Sequence, residues 1–196
     1  AVLSFTTPGA PSVTTSAATT VTSTAATLNG SATPNLSAAT GWFRYDVTDP
    51  GTCNDTFGTR APATGGTALG AGSTAVPYTQ PLIALTPATT YFYCAIASNT
   101  IGTRFGAVLS FTTLAPPTVI TSAATAITSS SATLNGTANP NGANATGWFR
   151  YATTSPGACN NSFGTQVPFT PTNLGAGVVP VPYPQSIGGL TPATTY

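Results

Sequence analysis

The chain has 196 residues, of which only 4% are charged: four arginines and three aspartates, with neither lysine nor histidine, for a net charge of +1. Charges this sparse form no basic surface for nucleic acid, and no apolar run reaches the ~20 residues of a membrane-spanning helix. We therefore expect neither nucleic-acid binding nor membrane insertion. Because 41% of the residues are hydrophobic, the composition indicates a folded protein with a hydroxylated surface rather than a disordered one.

The predicted elements are short β-strands. Alternating apolar and polar residues between turns of Gly, Pro and Asn predict them, and no ten-residue window has a helical apolar period. The stretch 50–71, which is rich in Gly and Thr, is predicted to be mostly loop with one short edge strand. The fold class is therefore predicted to be all-β. The strands are expected near residues 11–15, 25–33, 40–47, 73–79, 90–98 and 104–112.

The second half of the chain repeats the first. GWFRY at 41–45 returns at 147–151, LTPATTY at 85–91 returns at 190–196, and AVLSFTT at 1–7 returns at 107–113. Self-similarity at a fixed period is the signature of a repeat architecture. The predicted parts are residues 1–7 as the last strand of a preceding repeat, 8–113 as the first complete β-sandwich, and 114–196 as a second repeat, truncated before its last two strands.

The segment LTPATTY, followed by an alternating strand that ends at Phe111-Thr112-Thr113, resembles the fibronectin type III repeat. More narrowly, it is similar to Thr-rich repeats of large bacterial secreted proteins. The resemblance implies tandem immunoglobulin-like β-sandwiches and a tyrosine corner, in which a Tyr hydroxyl bonds backbone a few residues upstream. The Arg-Gly-Asp tripeptide of cell-adhesive members is absent, so no integrin-type role follows. The implied corner residues are Leu85, Pro87 and Tyr91 in the first repeat and Leu190, Pro192 and Tyr196 in the second.

Strand alternation divides the side chains between two faces. If the corner Tyr91 faces the core, then Phe43, Tyr45, Tyr93, Ala107, Leu109 and Phe111 face it too, with Leu28 opposite them. The outer face then carries Trp42, Arg44, Phe92, Ile96 and Val108, with Trp148 and Arg150 in the second repeat. Contiguous apolar surface of this kind marks contacts, so these residues are a candidate interface. The alternative is that the loop 50–71 folds over them, held by Cys53.

The three cysteines predict one disulfide per repeat. Cys159 repeats Cys53, and the counterpart of Cys94 would fall beyond Tyr196, so the odd count hides an even pair. We predict a bond between Cys53 and Cys94 and a partner for Cys159 beyond the end of this sequence. A disulfide indicates an extracellular or cell-surface protein. Two buried free thiols are the alternative.

Few residues could carry chemistry. Without histidine or lysine there is no imidazole base and no Schiff-base or Ser–Lys chemistry, so no enzymatic activity, catalytic residue or cofactor is expected. Asp46, Asp49 and Asp55 could hold calcium through carboxylate oxygens. Their counterparts in the second repeat are Ala152, Ser155 and Asn161, which favours solvated loop acids and no metal site.

We therefore predict a structural repeat of an extracellular filament, sheath or cell-surface stalk, whose partner is itself, through adjacent repeats or neighbouring subunits stacked head to tail. The strand with Val2, Leu3 and Phe5 is predicted to complete a neighbouring sandwich. The alternative is a spacer, or a glycan- or adhesion-binding module, of a secreted enzyme or adhesin.

Overall fold

The computed structural model describes residues 3–196, and the regular elements among them are all β-strands. The chain divides into two compact units, with the boundary between Leu114 and Ala115. We call the part before this boundary unit 1 and the part after it unit 2. The fold class is all-β, as the sequence predicts, and the strands pair in antiparallel sheets.

Unit 1 is a sandwich of two sheets. One sheet has the strand order β1-β2-β6, and the other has the order β4-β3-β7-β8, with β5 also paired to β3 and β9 to β7. The central pair, β3 and β7, is in register from Thr40 opposite Ser98 to Asp46 opposite Phe92. The strands are β1 (Ser12–Thr19), β2 (Ala26–Thr33), β3 (Ala39–Asp46), β4 (Thr59–Ala61), β5 (Thr67–Gly70), β6 (Val76–Leu82), β7 (Thr90–Asn99), β8 (Gly102–Phe105) and β9 (Leu109–Thr112).

The core of unit 1 lies between these sheets and has the predicted inward residues, with the exception of Ala107. Burial alternates strictly along β2, because successive side chains of a strand point to opposite faces. Leu28 from β2 and Phe43 and Tyr93 from the facing sheet are fully buried, and Tyr91 and Phe111 are buried beside them. Tyr45 and Leu109 are partly buried and pack against the same core. The alternation of these strands is therefore predicted in the correct phase.

The predicted strand 104–112 is in fact two strands, β8 and β9. The break lies at Gly106, where a Cβ atom would come within 2.8 Å of the Thr15 backbone nitrogen. Strand β1 approaches here, and the Thr15 hydroxyl accepts a hydrogen bond of 3.0 Å from the Ala95 backbone N–H. Ala107 is exposed rather than in the core, because the chain leaves the sheet at this point.

Unit 2 has two smaller antiparallel sheets. One pairs β11 with β10, β14 and β15, and the other pairs β12 with β13. A compact core joins them, in which the rings of Phe149 and Tyr183 stack with their centroids 4.9 Å apart. The strands are β10 (Thr118–Thr125), β11 (Ser131–Asn139), β12 (Ala145–Tyr151), β13 (Thr165–Gly175), β14 (Val181–Pro182) and β15 (Gln185–Gly188).

The segment predicted to complete a neighbouring sandwich lies outside the sheets. Residues 3–7 form no strand, and the side chains of Leu3 and Phe5 are 91% and 90% exposed. Val2 lies outside the described residues. The pairing of this segment with a neighbour therefore stays a prediction.

The hydrogen bond of the tyrosine corner is present in both units. The Tyr91 hydroxyl accepts a 2.9 Å bond from the backbone N–H of Thr86, and the Tyr196 hydroxyl accepts one of 2.9 Å from Thr191. The surroundings differ, because Tyr91 is 7% exposed and Tyr196 is 44% exposed. Leu85, the first residue of the motif in unit 1, is buried in the core.

We expect Tyr91→Phe to lower the free energy of unfolding of unit 1 by about 0.5–1.5 kcal/mol, because it removes one hydrogen-bond acceptor and leaves the ring in place. Urea denaturation followed by Trp42 fluorescence in a Trp148→Phe background measures the change. Tyr196→Phe in unit 2 is the matched control, followed by Trp148 fluorescence in a Trp42→Phe background, with a smaller expected effect since water can reach its backbone partner. Equal effects of the two substitutions would contradict this account.

Candidate functional site

Strands β3 and β7 place the residues of the predicted interface side by side. Trp42 lies opposite Ile96, and Arg44 lies opposite Cys94, on the face of the sheet that points away from the core. Because both strands alternate in the same register, these side chains form one continuous outer face. Val108, from the segment between β8 and β9, packs against it. The sequence therefore predicts correctly which residues share this face.

The outer face of unit 1 is covered, which corrects the prediction of an exposed interface. Residues 47–71, which we call the cap, fold over it and enclose a second hydrophobic core. Trp42 is only 8% exposed, Cys94 and Ile96 are fully buried, and Phe92 is half-buried. The cap has two strands rather than the one predicted, and both β4 and β5 pair with β3. The covering loop considered as the alternative is the observed arrangement.

A disulfide ties the cap to the sheet. Cys53 of the cap is bonded to Cys94 of β7, with the two Cα atoms 6.0 Å apart and a sequence separation of 41 residues. The predicted bond is confirmed. Since both cysteines are buried and disulfides persist in oxidising compartments, this feature is typical of an extracellular environment.

Asp55 holds the cap through one carboxylate oxygen. Its Oδ1 accepts a 2.8 Å hydrogen bond from the Trp42 indole N–H and a 3.1 Å bond from Arg44 Nε. Arg44 also donates through Nη1 to the carbonyl oxygens of Phe57 and Gly58, at 3.4 and 3.2 Å. The guanidinium of Arg60 lies 4.7 Å from the centre of the Trp42 ring, in cation–π contact. The cap therefore contacts the Trp42 indole twice, through Asp55 at its N–H group and through Arg60 over its ring.

Unit 2 repeats this arrangement without the negative charge. Trp148 Nε1 and Arg150 Nε donate to Oδ1 of Asn161, at 3.1 and 3.3 Å. An amide oxygen therefore replaces the carboxylate of Asp55 and makes the same two contacts. The spacing of 13 residues between the Trp and the acceptor is equal in both units. We infer that this position acts as a hydrogen-bond acceptor and that its charge is dispensable for the geometry.

The three aspartates have separate structural contacts. Asp46 Oδ1 accepts bonds of 2.6 and 3.2 Å from the backbone N–H groups of Val47 and Thr48, and Asp49 Oδ1 accepts a 2.8 Å bond from Gly51. Among residues 3–196, no group of three potential metal-ligating side chains comes together. Asp55 is not the solvated loop acid that the sequence favours, because it is bonded to Trp42 and Arg44.

The corresponding face of unit 2 is more open. Trp148 and Arg150 are half-buried, and Cys159 is exposed with a free thiol. Cys159 bonds no residue among 3–196, so its predicted partner beyond Tyr196 stays a prediction, and Phe169 is 93% exposed. Trp148 is therefore more accessible than Trp42, whereas Arg44 and Arg150 are both half-buried.

Buried phenols make unit 1 sensitive to alkali. Burial raises the pKa of Tyr78, whose hydroxyl donates a 2.9 Å hydrogen bond to the carbonyl oxygen of Ile96, and burial also raises the pKa of Tyr93. The folded state prefers the neutral phenol, so this stabilisation is complete below pH ~10, the pKa of an unfolded Tyr, and is lost as the pH rises above it.

We therefore expect the free energy of unfolding to fall above pH ~10, by up to about 1.4 kcal/mol per pH unit for each such Tyr. Between pH ~6 and ~8 it should change little, since the chain has no histidine. Denaturant unfolding at a series of pH values tests both statements, and Tyr78→Phe should flatten the alkaline slope. An unchanged slope in that variant would contradict the assignment to Tyr78.

Comparisons with known proteins identify no family. No protein-family model matches the chain, and no curated protein matches it. Among solved structures, the chain is similar to the sensor domain of the anti-sigma factor RsgI4 in Pseudobacteroides cellulosolvens, in a short and a long form. The short form is 16% identical with a TM-score of 0.37, over 54% of this chain and 95% of that one. The long form is 17% identical with a TM-score of 0.35, over 60% and 99%. At this level neither structure indicates what the chain binds.

The part of the chain that the structure describes contains no helix long and apolar enough to cross a membrane.

Proposed function

We propose that the chain is a structural repeat of an extracellular filament, sheath or cell-surface stalk, without enzymatic activity or cofactor. The observation that carries the proposal is that Trp42 and Arg44 both donate hydrogen bonds to Asp55 of the cap. These side chains, which could have formed a binding site, instead hold the cap of unit 1 in place. Asn161 preserves the same contacts in unit 2, which supports a structural role in both.

The surface of the chain exposes few sites for trypsin-like proteases, which is compatible with an extracellular location. Of the four arginines, which all lie within residues 3–196, only Arg104 is exposed, and the others are half-buried. Trypsin-like proteases, which cut after Arg and Lys, therefore find few accessible sites. The disulfide between Cys53 and Cys94 adds a covalent tie that an oxidising compartment maintains.

The resemblance to fibronectin type III repeats is part of the proposal. Unit 1 is compatible with this resemblance, because a three-stranded sheet packs on a larger sheet and the tyrosine corner lies at the connection between β6 and β7. Repeats of this kind set the spacing of extracellular proteins, which is the role that we assign to the chain.

A glycan-binding or adhesive module is the second candidate, and the open face of unit 2 favours it. Trp148 is half-buried beside Arg150, whereas its counterpart Trp42 in unit 1 is only 8% exposed. An accessible indole is a stacking surface for a sugar ring. A module of this kind would act as a spacer or an adhesive part of a larger secreted protein.

Retention on polysaccharides distinguishes the two candidates. We expect the purified chain to pass through columns of insoluble polysaccharides and to show no signal on an array of soluble glycans. Trypsin under native conditions should cut it only after Arg104, if at all. Specific retention that Trp148→Ala abolishes and Trp42→Phe preserves would overturn the structural proposal in favour of the binding module.

A further inference from the structure

The chain contains the triplet Asn-x-Ser/Thr, the acceptor sequence of N-linked glycosylation, at several positions. Two of these positions have the triplet in both units, since Asn29 returns as Asn135 and Asn54 returns as Asn160. The remaining triplets occur in one unit only. The asparagines of all the triplets are Asn29, Asn35, Asn54, Asn135, Asn144 and Asn160.

The first repeated position has a structural role. Asn29 lies on β2, and its Nδ2 donates hydrogen bonds of 2.8 Å to the carbonyl oxygen of Ala17 and 3.1 Å to the Thr19 hydroxyl, where the register of β1 shifts. Asn135 Nδ2 makes the corresponding two contacts in unit 2, at 2.9 and 3.0 Å. An amide nitrogen has two hydrogens, and a sugar replaces one of them. A sugar at this position would therefore break one of these bonds.

The second repeated position leaves its amide nitrogen accessible. Asn54 is exposed on the cap, and its Oδ1 accepts bonds of 3.0 Å from the Thr56 backbone N–H, 2.8 Å from the Thr56 hydroxyl and 2.9 Å from the Phe57 backbone N–H. Within residues 3–196, Nδ2 donates only to the Thr52 carbonyl oxygen, at 3.3 Å. One amide hydrogen is sufficient for that contact, so the turn can keep all its bonds when a sugar replaces the other.

The same geometry is present in unit 2. Asn160 is exposed, and its Oδ1 accepts bonds of 2.9 Å from the Ser162 backbone N–H, 2.7 Å from the Ser162 hydroxyl and 3.1 Å from the Phe163 backbone N–H. Its Nδ2 donates to the Ala158 carbonyl oxygen at 3.3 Å. These partners lie within three residues of Asn160, so the turn does not depend on the rest of the unit. Ser162 replaces Thr56 and keeps the hydroxyl that the triplet requires.

The middle residue of the triplet orients the acceptor. Asp55 binds Trp42 and Arg44 through Oδ1, so its side chain lies against the sheet. Asn54 and Thr56, on either side of it, are both exposed. The contact that holds the cap in place therefore also fixes the triplet with its asparagine and its hydroxyl residue toward solvent.

We propose that Asn54 and Asn160 carry N-linked glycans. Nδ2 attacks C1 of a sugar that is bound to pyrophosphate, and the new N–C1 bond replaces the C1–O bond to the pyrophosphate. The pyrophosphate leaves with the electron pair of that bond on its lipid or nucleotide carrier, and a base of the glycosyltransferase, a separate protein, takes the amide proton. Glycans are bulky and hydrated, and they would add polar surface to a chain with 4% charged residues. The modification goes beyond the proposed structural function and does not depend on it.

Trypsin separates the two acceptors after the protein is denatured and reduced. Cleavage after Arg44 and Arg60 releases the peptide 45–60, in which Asn54 is the one acceptor triplet, and cleavage after Arg150 places Asn160 in a peptide without another triplet. In protein isolated from the cells that produce it, mass spectrometry should find a sugar on the asparagine of both peptides. Transfer to the recombinant chain by the membranes of these cells, or by their soluble extract with a nucleotide-linked sugar, distinguishes the two carriers.

Variants expressed in the same cells test the role of each group. Asn54→Asp keeps the oxygen that accepts the turn bonds and removes the nitrogen, so the peptide 45–60 should lose its sugar while the unfolding transition changes little. Thr56→Ser should keep the sugar and Thr56→Val should lose it. Asn144→Asp is the matched control, because Asn144 is exposed in a triplet that unit 1 lacks, and it should leave the sugars at the two proposed sites unchanged.

Three results would overturn the proposal. The first is an unmodified peptide 45–60 in protein from the producing cells. The second is a sugar found only on the peptides that contain Asn29 or Asn135. The third is a sugar on the peptide 45–60 that persists in Asn54→Asp, which would mean attachment to a Ser or Thr hydroxyl. The structural function is tested separately, by retention of the chain on polysaccharides, and would stand in each of these cases.

Discussion

The double substitution Cys53→Ala and Cys94→Ala is expected to lower the free energy of unfolding of unit 1 by about 4 kcal/mol. The disulfide closes a loop of 41 residues, and the loop-entropy relation gives this value for a loop of that length. The cap also loses its covalent tie, so that the buried Trp42 and Ile96 gain a route to water. Denaturant unfolding followed by Trp42 fluorescence in a Trp148→Phe background measures the change.

Cys159→Ala is the matched control for this experiment. Cys159 is an exposed free thiol in unit 2, so its replacement should change the free energy of unfolding by less than about 0.5 kcal/mol. A second control is the wild-type chain in reducing agent, which should reproduce most of the loss without any substitution. A double variant as stable as the oxidised wild type would show that the cap is held without its disulfide.

Trp42→Ala is expected to cost about 3–5 kcal/mol, the range for truncating a large buried aromatic side chain. Trp42 lies at the centre of the second core, where it is 8% exposed and packs against the disulfide. Its loss also leaves Asp55 without the indole donor and removes the ring on which Arg60 lies. Circular dichroism during denaturation measures the effect without depending on Trp fluorescence.

Trp148→Ala in unit 2 is the matched control, because Trp148 makes the same indole contact with Asn161 but is only half-buried. We expect a clearly smaller loss there. Trp42→Phe separates the two parts of the effect, since it keeps most of the ring and removes the hydrogen bond. Equal losses for Trp42→Ala and Trp148→Ala would contradict the conclusion that the cap of unit 1 buries a second core.

The assignment of side chains to the two faces was accessible from sequence because strand alternation has a period of two residues. Once Tyr91 is assigned to the core, Phe43 and Tyr93 follow it, and Trp42 and Ile96 take the opposite face. The structure bears out both assignments. The disulfide could be predicted as well, since Cys159 repeats Cys53 and leaves Cys94 as the only partner within unit 1.

Features that depend on distant parts of the chain were not accessible. The break between β8 and β9 exists because Thr15 of β1 comes against Gly106, and no local pattern reports that approach. The burial of Trp42 and Ile96 depends on the path of residues 47–71, and the Gly- and Thr-rich composition of this stretch predicts only a loop. The role of Asp55 could have been predicted from the repeat. A side chain with an acceptor oxygen lies 13 residues after the Trp in both units, Asp55 after Trp42 and Asn161 after Trp148.

The disulfide also determines how far unit 1 can lengthen under tension. The bond between Cys53 and Cys94 spans β4, β5, β6 and the first half of β7, so these residues stay a closed loop even when the sheets separate. At 3.3–3.6 Å per extended residue, the sequence separation of 41 residues between Cys53 and Cys94 corresponds to roughly 135–150 Å of contour length that the closed loop cannot release. A pull on the two ends of unit 1 would therefore extend only the segments outside the loop, and the oxidation state of one bond would fix the maximum extension of the unit.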